Sequence, residues 1–371
     1  MNRESPSAFL LFELLARRWA VPAPAVSLRF NGPQSRLAAP LADGSIALID
    51  CADPEPPESR IKSDESGRKT IAPRVSDTRP ATIVAARGPG PAEACSGPDN
   101  GFFVAYRDAS LWRLHAEGSL AAIAPGGGAA LIAIDRCAAT ATTMIVAGEE
   151  VVLRSDAGAV VRASAPAGAR AAALSPDGAV AAFGCADSIA LASTATPSEI
   201  VRRFATPGPV GRIVWRDDGA FLAAVCESGE LALLDLRNDR FGSVGGFPNP
   251  PRSIAWSGPA NAIVVSGAYR IAAWDLANPP FDDARAGALE TGRAGMVAVE
   301  QVAAHPGRRL VAASYANGQV VIAEPGRRDE MILKASGPAP AALAWSADGR
   351  MLAIAAPDSV SLVTLPDALF K

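Results

Sequence analysis

Histidine is nearly missing from this chain: His115 and His305 are the two it has. Two distant histidines do not make the usual His-rich metal site, and nothing around either points to a Ser–His–Asp arrangement. Cysteine is sparse too, at positions 51, 95, 137, 185 and 226, with no Cys-x-x-Cys pair. An odd number at wide spacing argues against a disulfide framework and fits free thiols in a reducing compartment. Cys185 and Cys226 end the apolar runs "VAAFGC" and "FLAAVC" and read as small packing residues. Charge is thin, at 20% of residues with a net of −3, against about a quarter in typical domains. No global field therefore favours nucleic acid or an anionic membrane. Three tyrosines are too few for a base-stacking stripe. No apolar run approaches the ~20 residues that cross a bilayer. In "SAFLLFELLARRWAVPAPA" near the start, Glu13 interrupts the apolar run too early for a signal peptide. The expectation is a cytoplasmic protein, a monomer on its own, with no cofactor and no affinity for nucleic acid or membrane.

What the chain does have is turns and apolar runs. It carries 33 glycines, 31 prolines and 49% apolar residues over 371 positions, a composition of many short elements. One pattern recurs. "ALSPDGAVAAFGCADSIAL" (173–191) is an apolar run, a Ser-Pro-Asp-Gly turn, a second apolar run, a polar break and a third run. Related copies are "AVSLRFNGPQSRLAAPLADGSIALID" (25–50), "GRIVWRDDGAFLAAVCESGELALLDL" (211–236) and "RSIAWSGPANAIVVSGAYRIAAWDL" (252–276). Two more are "VAAHPGRRLVAASYANGQVVIAE" (302–324) and "AALAWSADGRMLAIAAPDSVSLVTL" (341–365). Degraded copies begin at "ATIVAA" (81–86), continuing through "GFFVAYRDASLWRL", and at "AALIAIDRCAATATTMIVAGEEVVLR" (129–154).

Eight units result, most about 40 residues apart, which is the period of a four-stranded propeller blade. Each unit supplies strands a, b and c. The linking segments "AVVRASA" (159–165), "EIVRRFA" (199–205) and "EMILKAS" (330–336) supply strand d. Strand b runs such as "LVAAS" and "MLAIAA" do not alternate between apolar and polar, as expected of strands buried on both faces. A β-sandwich also has many short strands, but it does not call for eight copies with similar internal turns. The expected fold is an all-β propeller filling the chain as a single domain, of eight four-stranded antiparallel blades, with seven as the alternative. The last unit leaves too little chain for its own strand d. Residues 14–21 are therefore expected to pair as the outer strand of the final blade and close the ring; the competing reading is an amphipathic helix over residues 7–19, chiefly its 7–15 part. Residues 51–80, with prolines at 54, 56, 57, 73 and 80 and charges of both signs, read as a disordered insertion between the first two blades. Residues 278–295 read as a shorter inter-blade loop.

The repeats resemble the WD-repeat (Trp-Asp repeat) β-propeller family. Trp274-Asp275 closes a strand c, and Ser-Pro-Asp-Gly-type turns lie at 175–178 and 346–349. Asp43-Gly44 and Asn317-Gly318 stand at second turns. The likeness is strong over 169–366 and weak over 51–160. The Trp-Asp pair occurs once and the family's Gly-His pair is absent, so the family's Asp–His–Ser/Thr–Trp network cannot recur in each blade. Other divergent propellers, such as quinoprotein-like ones, stay open. The later units look like the compact WD-repeat proteins of α-proteobacteria. The resemblance implies a scaffold for protein complexes without catalysis, although fold alone does not establish function.

The candidate binding residues fall on the loops that this fold gathers on one face. Asp43, Asp108, Glu149, Asp187, Glu227 and Asp358 recur at the second turns, and Arg170, Arg212 and Arg252 begin three consecutive strands a. Acids at equivalent turns either cap those turns through their short side chains or form a ring for a cation or a basic partner. Arginines beside them suit a polar protein-binding surface. "PGGGA" (125–129) is followed by a strand-like run and not by a helix with Lys-Ser/Thr, so it reads as a blade connection and not a phosphate loop. His305, in "AAHPGRRL", takes a first-turn position. The expected function is a non-enzymatic interaction scaffold for protein partners. The alternative is a small-ligand, cation-binding or enzymatic propeller that uses the central channel and its acidic turns.

Overall fold

The computed structural model describes residues 11–63 and 69–366. They form eight antiparallel blades. Blade 4 shows the plan: strand a Ala171–Leu174, strand b Val180–Gly184, strand c Ser188–Ser193 and strand d Ile200–Ala205, paired in that order. Its apolar runs serve two interfaces at once. Ala181, Phe183, Ala190 and Ala192 pack against blade 3, while Ala182, Ile189 and Leu191 pack against blade 5. A pleated strand sends alternate side chains to opposite faces, so a strand between two blades is apolar throughout. The same holds around the ring. Each of the eight blade-to-blade interfaces has its own buried cluster, including blades 7 to 8 and blades 8 to 1. The ring is closed at eight.

Seven blades have four strands and blade 6 has three, Ile254–Ser257, Ala262–Val265 and Ala272–Asp275. The segment 278–295 takes the place of its strand d through single bridges, Trp274 to Ala288 and Ile271 to Thr291.

Closure uses the N-terminal strand. Ala16–Ala20 pairs with strand c of blade 8, Ser359–Thr364, with Arg18 opposite Ser361. A short helix, Leu11–Leu15, leads into it. The expected closing strand is present; of the competing helix only Leu11–Leu15 forms, residues 16–19 being strand, and residues 7–10 lie outside the described residues.

Two repeat assignments near the start are corrected. Thr82–Val84, read above as the opening of the second unit, is strand d of blade 1 and pairs with Ile46–Asp50. Strand a of blade 2 is Glu93–Ser96. Residues 51–80 accordingly lie inside blade 1, between its strands c and d, and not between two blades. Their composition led to an expectation of disorder, yet the described part carries a 3-10 turn, Pro57–Arg60, and a hairpin, Ile61–Ser63 with Lys69–Ile71. The physical reason is that its charges have fixed partners. Asp53 pairs with Arg74 at 2.8 Å, and Arg60 donates to the Leu14 and Ala72 carbonyls at 2.7 and 2.6 Å. Arg17, on the closing strand, donates to the Cys51 and Ala52 carbonyls at 2.6 Å, and Trp19 Nε1 donates to the Arg79 carbonyl at 2.6 Å. The insertion therefore clasps the strand that closes the ring.

The turns work as their residues suggest. Ser175 Oγ donates to Asp177 at 2.5 Å and accepts from the Val180 amide at 2.9 Å, and Ser346, Asp348 and Met351 repeat the device in blade 8. His305 serves the same end in blade 7. Its Nδ1 accepts from the Gly307 and Arg308 amides at 3.0 Å, and its buried ring packs 4.8 Å from that of Trp345. All five cysteines are buried and unbridged.

Candidate functional site

The second turns (b to c) and the segments leading into strands a share one face. Main-chain bonds bind them into a belt. Glu227 N donates to the Pro209 carbonyl at 2.7 Å, Val210 N to the Cys185 carbonyl at 3.0 Å, and Val299 N to the Ala268 carbonyl at 2.9 Å. These bonds hold side chains from different blades at fixed spacing, as a loop-borne binding surface on a rigid scaffold requires.

Most of the acids at these turns are occupied locally. Asp43 accepts from the Ser45 hydroxyl and amide at 2.6 and 3.0 Å, and these bonds hold its carboxyl below the ordinary range. Asp108 accepts from the Ser110 amide at 3.0 Å and Asp187 from the Ser188 hydroxyl at 2.9 Å. Asp358 accepts from the Ser359 hydroxyl at 2.8 Å and pairs with Arg18 at 3.0 Å; together these hold its carboxyl low. Glu149 is exposed at the turn of blade 3, above an outer cleft that Glu150 and Arg162 also line. Four of the six acids cap their own turns, and the set is spread from blade to blade. Among the described residues no three His, Cys, Asp or Glu side chains are grouped to hold a cation.

The arginines divide. Arg170 of blade 4 pairs with Glu227 of blade 5 at 3.0 Å, with both side chains about half exposed. Arg252 of blade 6 reaches Glu300 of blade 7 at 3.3 Å and keeps 71% of its side chain exposed. Two large exposed side chains in the neighbouring segments of blades 6 and 7 escaped sequence reading. Tyr269, on the b–c turn of blade 6, is 45% exposed, and Met296, on the way into blade 7, is 94% exposed. Gly295 N donates to the Tyr269 carbonyl at 2.9 Å, which places the two segments side by side. Tyr269 could have been found as an aromatic at a turn position that polar residues fill in other units. Met296 follows an irregular segment and carries no such signal.

Arg212 turns inward instead, into an axial channel. The inner strands of blades 1 to 5 wall a cavity of about 850 Å3, lined by Arg29, Glu93, Asp135 and Arg212 among others. Glu93 and Arg212 stay accessible to channel water, yet protein surrounds them on most sides. That desolvation pushes the Glu93 carboxyl up, and Asp135 up as well. It pushes the Arg212 guanidinium down, with Arg29 adding like-charge repulsion. Arg29, Glu93 and Asp135 also escaped sequence reading. The available signal was a lone charge inside an apolar strand a, which has only the channel in which to stay hydrated.

No family model matches the chain, and no curated protein sequence matches it. Among solved structures it is similar to the C-terminal WD40 domain of Sif2. The two superimpose with a TM-score of 0.67 at 13% identity, over 95% of this chain and 99% of that one. A likeness at that identity concerns architecture alone: this chain has the WD40 propeller fold, in a ring of eight blades.

Proposed function

We propose that the chain is a non-enzymatic protein-interaction platform whose docking surface is the belt face from blade 4 to blade 7. The observation that carries this reading is the exposure of Arg252, Tyr269 and Met296 on segments of blades 6 and 7 that main-chain bonds tie together. Arg, Tyr and Met are the residue types enriched at protein interfaces, and Tyr and Arg dominate binding hot spots. The pair Arg170–Glu227 lies on the same face as a polar rim, where exposed charges favour register over affinity. The partner is a protein, bound without cofactor or catalysis, and the work is done in the cytoplasm by a single copy of the chain. The divergent repeats, of the bacterial type, keep the frame and vary the loops.

Cation binding by the acidic turns has less support, because four of the six acids are used by a neighbouring serine. Affinity capture from native extract separates the readings. One defined, stoichiometric protein retained by the chain and absent with R252A/Y269A supports the platform. A stoichiometric bound cation, lost in D187N/E227Q, with no retained protein, overturns it.

A further inference from the structure

The seam between blades 2 and 3 is the least filled of the eight, with the smallest buried cluster. An outer cleft of about 880 Å3 opens along it. Its floor is apolar, with Leu111 of blade 2 and Ile145 and Val152 of blade 3. Its rim includes strand d of blade 3, Val160–Ser164, which has no strand on its outer side among the described residues. Register fixes which of its groups are free. Ser155 N donates to the Ala159 carbonyl and Ala165 N to the Glu149 carbonyl, at 2.9 and 2.8 Å. Bonded and unbonded pairs alternate between those two points, with Val160 opposite Arg154, Arg162 opposite Val152 and Ser164 opposite Glu150 in the unbonded places. The main-chain groups of Val160, Arg162 and Ser164 therefore point outward, and the same three residues line the cleft.

An open edge is a template for another strand unless it is short, charged or covered. Most outer edges of this ring are guarded in one of those ways. Strand d of blade 1 has three residues. Blade 4 carries Arg202 and Arg203 there, blade 5 Arg240, and blade 7 Glu330 and Lys334. Blade 6 is covered by 278–295, and the closing strand of blade 8 is clasped by the insertion. Strand d of blade 2 is uncharged but sends only Ala124 into the cleft. Strand d of blade 3 has one charge, Arg162, which Glu150 neutralises at 2.7 Å. Its Val160 and Val161 are 42% and 47% exposed. Opposite charges mark its two ends: Glu149, opposite Ala165, and Arg154, opposite Val160. Neither has a side-chain partner among the described residues.

We propose that the outer edge of blade 3 takes an extended segment of a protein partner as a fifth, antiparallel strand. Main-chain bonds to Val160, Arg162 and Ser164 supply the docking, and side chains in the cleft supply the selection, as in other cases of strand addition. The segment begins with a basic residue beside Glu149, places a large apolar side chain in the cleft, and ends with an acidic residue beside Arg154. Five residues span this edge, about 13 Å at ~3.3 Å per residue. The edge is separate from the belt face, and either can exist without the other.

The test is fluorescence anisotropy of the full chain with the pentapeptide Lys-Thr-Phe-Thr-Glu, labelled with fluorescein at its N-terminus and amidated at its C-terminus. Saturable binding is expected. Methylating the Phe nitrogen, which keeps every side chain but removes a ladder donor, should weaken it by about fivefold or more. The charge-swapped peptide Glu-Thr-Phe-Thr-Lys should also bind wild type at least about fivefold more weakly, and E149K/R154E should reverse that preference. Ser164→Pro removes an outward amide, a position where an edge strand tolerates proline; it should melt as wild type and lose the peptide. The N-methyl comparison needs no variant, so misfolding cannot imitate it. Absence of saturable binding by wild type overturns the proposal, as does equal binding of the N-methylated or charge-swapped peptide. Dimers of the chain that S164P abolishes, with no peptide bound, would give the edge to a second copy and overturn it too. None of these failures touches the belt-face reading, which has its own captured partner as its test.

Discussion

Trp215 and Ala173 lie in adjacent blades, and the Trp215 indole Nε1 donates to the Ala173 carbonyl at 3.2 Å. The bond recurs from Trp256 to the Val214 carbonyl at 3.2 Å and from Trp345 to the Ala303 carbonyl at 3.1 Å, each time reaching 42 residues back. A tryptophan near the end of strand a therefore ties its blade to the preceding one. This tie recurs in blades 5, 6 and 8, of which blade 6 alone also carries the Trp-Asp pair, Trp274-Asp275.

Trp215→Phe keeps most of the buried ring and removes the donor. An unpaired buried carbonyl costs about 1–3 kcal/mol, so the urea midpoint should fall with an unchanged slope. W256F should behave alike. An unchanged midpoint in both would mean that the indole bonds add nothing to the ring.

Asp53 is the ion that fixes the clasp over the closing strand. It lies 2.8 Å from Arg74 and 3.8 Å from Arg17, and the side chains of Asp53 and Arg17 are 8% and 4% exposed. Asp53→Ala strands two arginines and is expected to cost about 3 kcal/mol. Limited proteolysis should then cut near Ala16–Ala20 before any other strand. D358N, which breaks the exposed pair with Arg18, should leave the midpoint and the cleavage pattern unchanged.

The same residue sets an acid limit. Burial pushes the Asp53 carboxyl up, but the hydrogen bond from Arg74, the Glu55 amide and the charge of Arg17 outweigh it, and the group ends below its ordinary value. A carboxyl lowered on folding stabilises the fold above its unfolded value, about 3.9, and the contribution is lost as pH falls through the lower folded value. Wild type should lose stability more steeply than D53N below about pH 4. Parallel curves would remove Asp53 from the acid response.

The thiols should be silent in the folded state. Burial pushes Cys51 and Cys95 up to about 12 and Cys226 to about 11. A thiol reagent at neutral pH should modify none of the five cysteines until denaturant is added, and then all of them, since the thiolate is the reactive form. Rapid native labelling of any one would contradict its role as packing.

Gly349 has φ +71°, and a Cβ there would run into the His305 imidazole. Gly349→Ala combines strain at a left-handed position with a clash against a buried ring. The melting temperature should fall, and H305A/G349A should recover part of the loss. Equal melting of G349A and wild type would contradict this packing.

The blades were legible in the sequence where both faces of a strand are buried. Runs such as "VAAFG" and "MLAIA" have one physical explanation, a strand between two packed sheets, and they set the repeat. Blade 2 was harder because its strand a, "EACS", is short and partly polar. The insertion within blade 1 also made Thr82–Val84 look like a beginning. Composition misjudged that insertion because its order comes from contacts with Arg17 and Trp19, far away in the chain. Acids at the second turns were visible, but their roles were not, since whether Asp187 meets a cation or Ser188 is decided by a side-chain rotation. The channel charges passed unnoticed because no single strand shows that Arg29, Glu93, Asp135 and Arg212 line one cavity.

The platform reading is tested most directly by the affinity of the captured partner for wild type and for R252A/Y269A, measured on folded protein with equal melting temperatures. Two lost anchors should weaken binding by about a hundredfold or more, at roughly 1.4 kcal/mol per tenfold. Equal affinity for wild type and the double variant would place the partner elsewhere and contradict the assignment of the belt face.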